Sequence, residues 1–375
     1  MDADVLIVGA GSVGMAAGFY LARKGARVIL LDEGEPPHSL GSHHGSTRLI
    51  RYAYGEGAAY LPLLLRARTL WQELEQLGGE QLFEPCGVLN LGAAGRPFLT
   101  QVVRSAAEYR LTLEQLDAAQ TMARWSAWQL PAGISAAFEP EAGVLYCERA
   151  LSAWRRLGRE RGAVLLGGHK VTGLRAAGRQ VTVSTEKGLQ LSAARVLVSA
   201  GHRVAPLLAG LGLPLPLQRV RKTFAWYGVD QAGYGPVAFP GFSADLPDAI
   251  YYGFPTLEGA GLKVGRHDGG QLLSPDEPLL PFGAFAEDEE ELDSFVRAYL
   301  PGAGEMTEGK ACHYVRTPDE HFILDRHPEQ DRVFIASACS GHGFKFASVL
   351  GELFANWMLD GEPGFDLSPF RLARF

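Results

Sequence analysis

The sequence predicts an α/β protein in which a parallel sheet, assembled from distant segments, is interrupted by a second region built on a mixed, largely antiparallel sheet. Three observations carry this prediction. The apolar run Val5-Leu6-Ile7-Val8 leads straight into a glycine-rich turn. Two more such runs, Arg195–Ala200 and Arg332–Ala336, lie far along the chain and run toward Gly201 and Gly341. Between them, segments such as Val181-Thr182-Val183-Ser184-Thr185 and Leu262-Lys263-Val264-Gly265-Arg266 alternate in character. Continuous apolar runs suit strands covered on both faces, and alternation suits strands with one polar face.

The first unit is the most informative. Gly9-Ala10-Gly11-Ser12-Val13-Gly14 follows the first strand, and an apolar helix with Ala16, Ala17, Leu21 and Ala22 closes at Lys24-Gly25. Arg27-Val28-Ile29-Leu30-Leu31 then delivers Asp32, 23 residues after Gly9. Strand, glycines, helix, strand and acid in this order make a dinucleotide-binding βαβ unit. Gly9 is expected to make the tight turn, Gly11 to let the backbone approach a pyrophosphate, and Gly14 to let helix and strand pack closely. The N–H groups at the start of the helix, around Ser12 and Val13, carry partial positive charge for the phosphates, and Asp32 is placed to accept from a ribose diol. This unit alone leaves FAD and NAD open. The fingerprint occurs once, and Gly18 extends it to GxGxxGxxxG, both of which favour FAD.

The rest of the chain supplies the layout. Leu64, Ala67, Leu70, Trp71, Leu74 and Leu77 recur at helical spacing, which predicts an amphipathic helix over 58–77 ending at Gly78-Gly79. Residues 105–129 also read as helical, 181–191 as a β-hairpin, and 346–359 as a helix. Glycine and proline cluster at 231–241 and 253–261, read as hairpin turns. The resulting division assigns 1–80, 147–216 and 321–375 to the nucleotide domain, and 81–146 and 217–320 to the second domain.

Composition narrows the function classes. A chain of 375 residues suits two domains, and 35 basic against 42 acidic residues give a net charge of −7, unlike a nucleic-acid binder. The four cysteines, Cys86, Cys147, Cys312 and Cys339, contain no CxxC pair, which excludes a disulfide framework and a thiolate zinc site and suits a reducing compartment. The start, Met1-Asp2-Ala3-Asp4, lacks the basic segment of a signal peptide, and no run of about 18 apolar residues offers a membrane span. The expectation is a cytoplasmic enzyme or ligand binder that meets neither nucleic acid nor membrane.

Four segments could carry chemistry. In Gly41-Ser42-His43-His44-Gly45-Ser46-Thr47-Arg48-Leu49-Ile50-Arg51, two histidines and two arginines sit among small residues just after the nucleotide unit. Adjacent histidines chelate poorly, so this segment reads as a cationic wall rather than a metal site, and no metal is expected. Lys263, Gly265 and His267 share one face of an extended segment, with Tyr252 in the strand before it; Lys263 points either inward or to solvent on this reading. Cys312 and Tyr314 share one face of the short run Ala311–Tyr314. Gly341-His342-Gly343-Phe344-Lys345 leads into a helix whose unpaired N–H groups suit negative charge, and Lys345 stands against the helix dipole, a placement that hints at a function.

Taken together, these segments resemble the monomeric sarcosine oxidase family, which includes the N-methyltryptophan oxidases. The resemblance rests on the N-terminal fingerprint, Gly41–Gly45 with Thr47-Arg48 and Arg51, Tyr251–Pro255, Gly261-Leu262-Lys263, Cys312, Thr317–Phe322 and Ser340–Lys345, and it runs nearly the whole chain. It implies a glutathione-reductase-type Rossmann domain with a mixed-sheet substrate domain, and FAD attached through a thioether from Cys312 to the flavin 8α-methyl. It further implies FAD contacts at Gly9, Gly11, Ser12, Val13, Gly14, Asp32, His43, Arg48, Val171, Gly201, Gly341, Gly343, Phe344 and Lys345. The implied reaction converts sarcosine, O2 and water to glycine, formaldehyde and hydrogen peroxide, in a monomer. Arg51 and Lys345 would pair with the substrate carboxylate, Tyr252, Tyr314 and His267 would line the pocket near the amine, and Arg48 and His44 would pack beside the flavin. Lys263 matches the residue that activates oxygen: a fixed ammonium at about 4 Å stabilises the negative charge that oxygen acquires by on the order of 1–4 kcal/mol.

Three positions depart from the family pattern. Ser243 replaces a bulky apolar pocket residue, Arg203 a tryptophan, and Arg266 a less charged neighbour of His267. Ser243, with Gly341 beside the clamp, leaves room for a substrate side chain larger than that of sarcosine. The alternative expectation is therefore an oxidase of N-methyl-L-tryptophan, pipecolate or proline, or a flavin amine dehydrogenase.

Overall fold

The computed structural model describes residues 1–375. Its centre is the parallel sheet. Strand β1 (Ala3–Val8) pairs on one side with β2 (Val28–Leu31) and on the other with Gln190–Val198. Val164–Leu166 continues the sheet beyond β2, and Val333–Ser337 continues it beyond Val196–Val198, all parallel. Ile323–Arg326 closes that edge in the antiparallel sense. The lower half of Gln190–Val198 pairs instead with Gln180–Thr185, so the predicted hairpin forms, and Val171–Ala177 adds a further strand to it.

The continuous apolar run of β1 has its expected cause. Val5 and Ile7 pack into a layer made by helix α1 (Ser12–Arg23) and the helices Leu61–Gly78, Cys147–Glu160 and Ala347–Asp360. Leu6 and Val8 face the other way, against Val181, Val183, Val204 and Leu207. Each of these four β1 residues is at most 2% exposed, so neither face tolerates a polar residue.

The second sheet has nine strands and is antiparallel except where Gly241–Asp245 runs parallel to Val88–Ala93. The long strands Gln218–Tyr227 and Met306–Arg316 pair along their whole length, and Leu262–Arg266, Ile250–Phe254 and Gly241–Asp245 follow in order. Phe242, Ala244, Tyr251 and Val264 pack on one face against Phe295 of helix Glu287–Tyr299. The opposite face carries Ser243, Asp245, Ile250, Tyr252 and Lys263, because successive side chains alternate. A small sheet of Thr47–Ile50, Gly143–Tyr146 and Phe83–Glu84 lies apart from both. No helix is long and apolar enough to cross a membrane.

Several expectations need correction. Residues 105–129 are not one helix. A helix at Pro97–Tyr109 ends on Arg110 in the left-handed conformation, the short strand Glu114–Asp117 follows, and a new helix starts at Ala118. Asp117 and Gln120 form a reciprocal capping box there, a local signal that outweighs the apolar spacing. The 231–241 cluster is not a hairpin turn: it forms the short helix Gln231–Tyr234 and a connection between strands that are not neighbours. The 311–314 run is the middle of the 11-residue strand Met306–Arg316. The helix at 58–77 begins as a 3-10 turn at Ala58–Tyr60 and runs to Gly78, capped by left-handed Gly79 as expected. Lys345 lies in a 3-10 turn, Phe344–Phe346, just before the C-terminal helix.

Candidate active site

A single deep cleft collects most of the residues singled out in the sequence. Its empty space, counted to the open mouth, is about 2170 Å³. The space runs from the glycine turn after β1 to Arg51 and Lys345. Gly9, Gly11, Ser12, Val13, Asp32, His43, Arg48, Arg51, Val171, Gly201, Ser243, Tyr252, His267, Cys312, Tyr314, Gly341, Gly343, Phe344 and Lys345 all line it. Gly14, His44 and Lys263 are not among its lining residues.

The glycine turn forms one end. Gly9 has φ +92°, and a Cβ there would stand 2.6 Å from the Ala200 Cα, so only glycine fits. At Gly14 a Cβ would come within 1.9 Å of the Gly9 carbonyl oxygen, so this glycine packs the helix start against the turn itself more than against the strand. At Gly11 a Cβ would meet only His43, at 3.6 Å, and would project into the cleft. The helix that follows has no side-chain cap and no acid in its first turn, which leaves its N–H groups for an anion. Asp32 accepts from Ala10 N at 2.7 Å and Gly34 N at 3.0 Å, and lies 2.8 Å from His38 Nε2. Burial alone would raise the Asp32 pKa, but His38 and these N–H groups hold it below the usual carboxylate range. The sequence reading missed His38, and its only signal was a position six residues beyond Asp32.

The basic segment forms the next wall. Arg48 donates to the carbonyls of Thr47 (2.7 Å), Ser42 (2.7 Å) and His44 (2.9 Å), so the guanidinium is fixed by backbone. Burial pushes His43 down to about 3 and His44 to about 4, with Arg48 adding to both, so the two imidazoles are neutral near pH 7. The Nε2 of each is buried without a partner. His43 lines the cleft, and its unmatched ring nitrogen is one that a polar cofactor ring would satisfy. Cys312 is free, 3% exposed, and its thiol is pushed up to about 11 by burial, with Arg48 opposing.

Lys263 points inward, which settles its orientation. Its Nζ reaches the Gly45 carbonyl, and the Thr47 carbonyl and Oγ1 at 3.3 Å each. The rings of Phe224 and Phe254 lie 4.6 and 4.7 Å away. Burial drives its pKa well down, with Arg48 adding to this. Three oxygen acceptors nonetheless match the three donors of an ammonium, and the ring faces also favour a cation. Tyr252 pairs in register with Gly265, where any Cβ would stand 2.4 Å from the Tyr252 hydroxyl; the tyrosine can lie flat here only over glycine. The His267 ring is 5.7 Å from that of Tyr314, and burial pushes His267 down to about 4.

The last wall holds the cation pair. Lys345 is 5% exposed, donates to the His342 carbonyl at 2.8 Å and to Tyr54 Oη at 3.4 Å, and is pulled down to about 7 by burial and then by Arg51. Arg51 donates to Asn90 Oδ1 at 3.3 Å and pairs with Glu56. Burial works against the Glu56 charge, yet Arg51 and Lys345 hold its carboxyl down at about 2. Glu139 accepts from Tyr52 N (2.5 Å) and Ala53 N (3.1 Å), which fixes the backbone just after Arg51. Glu56, Glu139 and Asn90 escaped the sequence reading: nothing marks Glu56, five residues after Arg51, as its partner, and Asn90 and Glu139 reach this segment from 39 and 87 positions away.

The FAD dependent oxidoreductase family matches this chain over residues 4–357. The chain belongs to that family. An N-methyl-L-tryptophan oxidase of Citrobacter koseri is 47% identical over 376 residues, covering 100% of both chains. One of Salmonella typhimurium is 45% identical, again over 100% of both. Among solved structures, the amino acid oxidase NikD superposes with a TM-score of 0.87 at 23% identity, covering 98% of this chain and 97% of the other. The L-proline dehydrogenase of P. horikoshii gives 0.87 at 20%, covering 100% and 98%. These two show the fold. The oxidoreductase is thus an FAD-dependent oxidase of the N-methyl amino acid type, acting on CH–NH donors. Sarcosine, the first expectation for its substrate, is not what its 45–47% identical relatives are named for.

Proposed function

We propose that the oxidoreductase converts N-methyl-L-tryptophan, O2 and water to L-tryptophan, formaldehyde and hydrogen peroxide. The observation that carries this is the pairing of a carboxylate clamp with a roomy wall: Arg51 and Lys345 lie in the same cleft as Ser243, where a small side chain leaves space beside the reacting centre. The full-length likeness to N-methyl-L-tryptophan oxidases supports the same substrate over sarcosine.

The chain's own residues have separable tasks. Arg51 and Lys345 hold the carboxylate and so fix the N-methyl group in one position. His267, neutral near pH 7, offers a hydrogen-bond acceptor to the substrate nitrogen, while Tyr252, pushed up to about 12 by burial, stays protonated. Gly9, Gly11, Ser12, Val13, Gly14, Asp32, Val171 and Gly201 hold FAD at its nucleotide end, and His43, His44, Arg48, Gly341, Gly343 and Phe344 border its ring. When bound, FAD would supply the two-electron acceptor for the N-methyl carbon and the electron donor for oxygen. Lys263 supplies a fixed cation beside that oxygen. Cys312 would hold the flavin covalently, its sulfur bonded to the 8α-methyl carbon, with the two hydrogens and two electrons lost in making that bond passing to O2. Residues 1–80, 147–216 and 321–375 serve as the cofactor domain and 81–146 and 217–320 as the substrate domain, in a cytoplasmic monomer.

A panel of sarcosine, N-methyl-L-tryptophan, pipecolate and proline, read by peroxide release, tests the substrate. N-methyl-L-tryptophan should give the highest kcat/KM, and a preference for sarcosine would reverse the proposal. After acid denaturation, flavin fluorescence should stay on the protein band in a gel and leave it in Cys312→Ala. Flavin released from both would remove the thioether.

A further inference from the structure

Asp245 is a buried carboxylate on the cleft wall, 4% exposed, and the reaction outlined above does not use it. One of its oxygens, Oδ1, takes both donors of Arg96: Nε at 2.8 Å and Nη2. No protein donor reaches Oδ2, which stays open to the cleft and so is free to accept from a ligand there. Its position relative to the clamp is set by strand register. Arg51 binds Asn90, Asn90 pairs with Ser243, and Asp245 pairs with Gly92 two residues further along the same strands. Ser243 and Asp245 therefore face the cleft about 7 Å apart. Phe98 and Ile250 line the cleft beside them, and the Phe98 ring lies 5.3 Å from the Arg51 guanidinium carbon.

We propose that Asp245 determines specificity by accepting a hydrogen bond at Oδ2 from a ring N–H on a large aromatic substrate side chain, with Phe98 and Ile250 flanking the ring and Arg96 holding the carboxylate in place. This rests on the reading of the cleft as an N-methyl amino acid oxidase site and adds what reads the side chain. Sarcosine, with only hydrogen on its α-carbon, cannot reach Asp245. An aromatic side chain without a donor can fill the space but leaves Oδ2 unmatched, and a site built to bind an N–H rejects such analogues far more strongly than size alone would.

The test compares N-methyl-L-tryptophan, its analogue methylated on the indole nitrogen, and N-methyl-L-phenylalanine, by peroxide release from the FAD-loaded enzyme. The wild-type enzyme should favour N-methyl-L-tryptophan over each of the other two by roughly tenfold to a hundredfold in kcat/KM. In Asp245→Ala the preference should shrink to within about threefold, with the loss appearing in KM rather than kcat. Arg96→Ala should weaken the preference partway. Equal rates of the wild-type enzyme on the indole and its ring-methylated analogue would overturn the proposal, and that comparison needs no variant to fold. A variant that loses equally on all three substrates would also overturn it, since that is the mark of a purely structural role. No peroxide from any N-methyl amino acid would overturn the oxidase reading together with this one.

Discussion

Arg51 and Glu56 form an ion pair on the cleft wall, with Arg51 Nη2 donating to Glu56 Oε1 while Glu56 Oε2 is buried without a partner. The cation assigned to the substrate carboxylate is therefore held by a carboxylate of the chain itself. A ligand carboxylate must compete with Glu56 for it. Glu56→Gln removes the competing charge and is expected to tighten a non-oxidisable carboxylate such as indole-3-acetate about threefold to tenfold at pH 5.5, an electrostatic effect of roughly 1 kcal/mol. Flavin absorbance titration measures this Kd, and weaker binding in the variant would mean that Glu56 assists the anion instead.

Lys345 gives the site a pH dependence. Burial lowers its pKa to about 7, Arg51 adds to that, and Glu56 opposes it. A carboxylate ligand prefers the ammonium form, so affinity should be flat below pH 7 and fall as pH rises through about 7, by up to about tenfold per pH unit. Glu56→Gln should move the start of that fall to lower pH, because it removes the charge that keeps Lys345 protonated. Lys345→Met should bind weakly at every pH with no break near 7. A break that survives in Lys345→Met would assign the titration to another group.

Lys263 should matter for one half of the catalytic cycle only. Its Nζ is anchored to Gly45 and Thr47 and lies among Phe224, Phe254 and Trp226. Methionine has nearly the same shape and no charge, so Lys263→Met should slow oxygen consumption at least tenfold. Anaerobic bleaching of the flavin by substrate should stay within about twofold. If the oxygen rate is unchanged, the electrons leave by another route, as in a dehydrogenase.

Glu139 ties stability to pH. It is 1% exposed and accepts from two backbone N–H groups, and burial pushes its pKa up to about 7 against an ordinary value of 4.5. The folded state thus binds this proton more tightly than the unfolded chain does. Its stabilising contribution is complete below about pH 4.5 and is lost as pH rises through about 7. Glu139→Ala leaves Tyr52 N and Ala53 N unpaired and should cost roughly 2–6 kcal/mol, at about 1–3 kcal/mol for each of the two groups. In thermal melts the gap between wild type and variant should narrow from pH 5 to pH 8. A gap that widens over that range would show that the folded protein prefers the carboxylate.

The parts of this molecule that were legible in the sequence share one property: their meaning is local. Gly9, Gly11 and Gly14 announce a turn whose backbone no larger residue can follow. The alternation around Lys263 puts that residue on a face with Gly265 and His267 whatever the sheet's partners are. The helix boundary near Gly79 follows the same logic. The 105–129 segment shows the limit, because apolar spacing ran across Arg110 and Asp117, where a left-handed residue and a capping box divide the chain.

The sequence by itself determined the nucleotide unit, the mixed layout of the sheets and the inventory of cations. These depend on backbone sterics and on periodicity, which act over a few residues. Only the tertiary structure decided what each charge is paired with. Lys263 meets Gly45 across 218 positions and Asp245 meets Arg96 across 149. Glu139 reaches Tyr52 across 87. Coulomb and hydrogen-bond energies depend on distance in space and on burial, and strand register sets both only once the sheets have assembled.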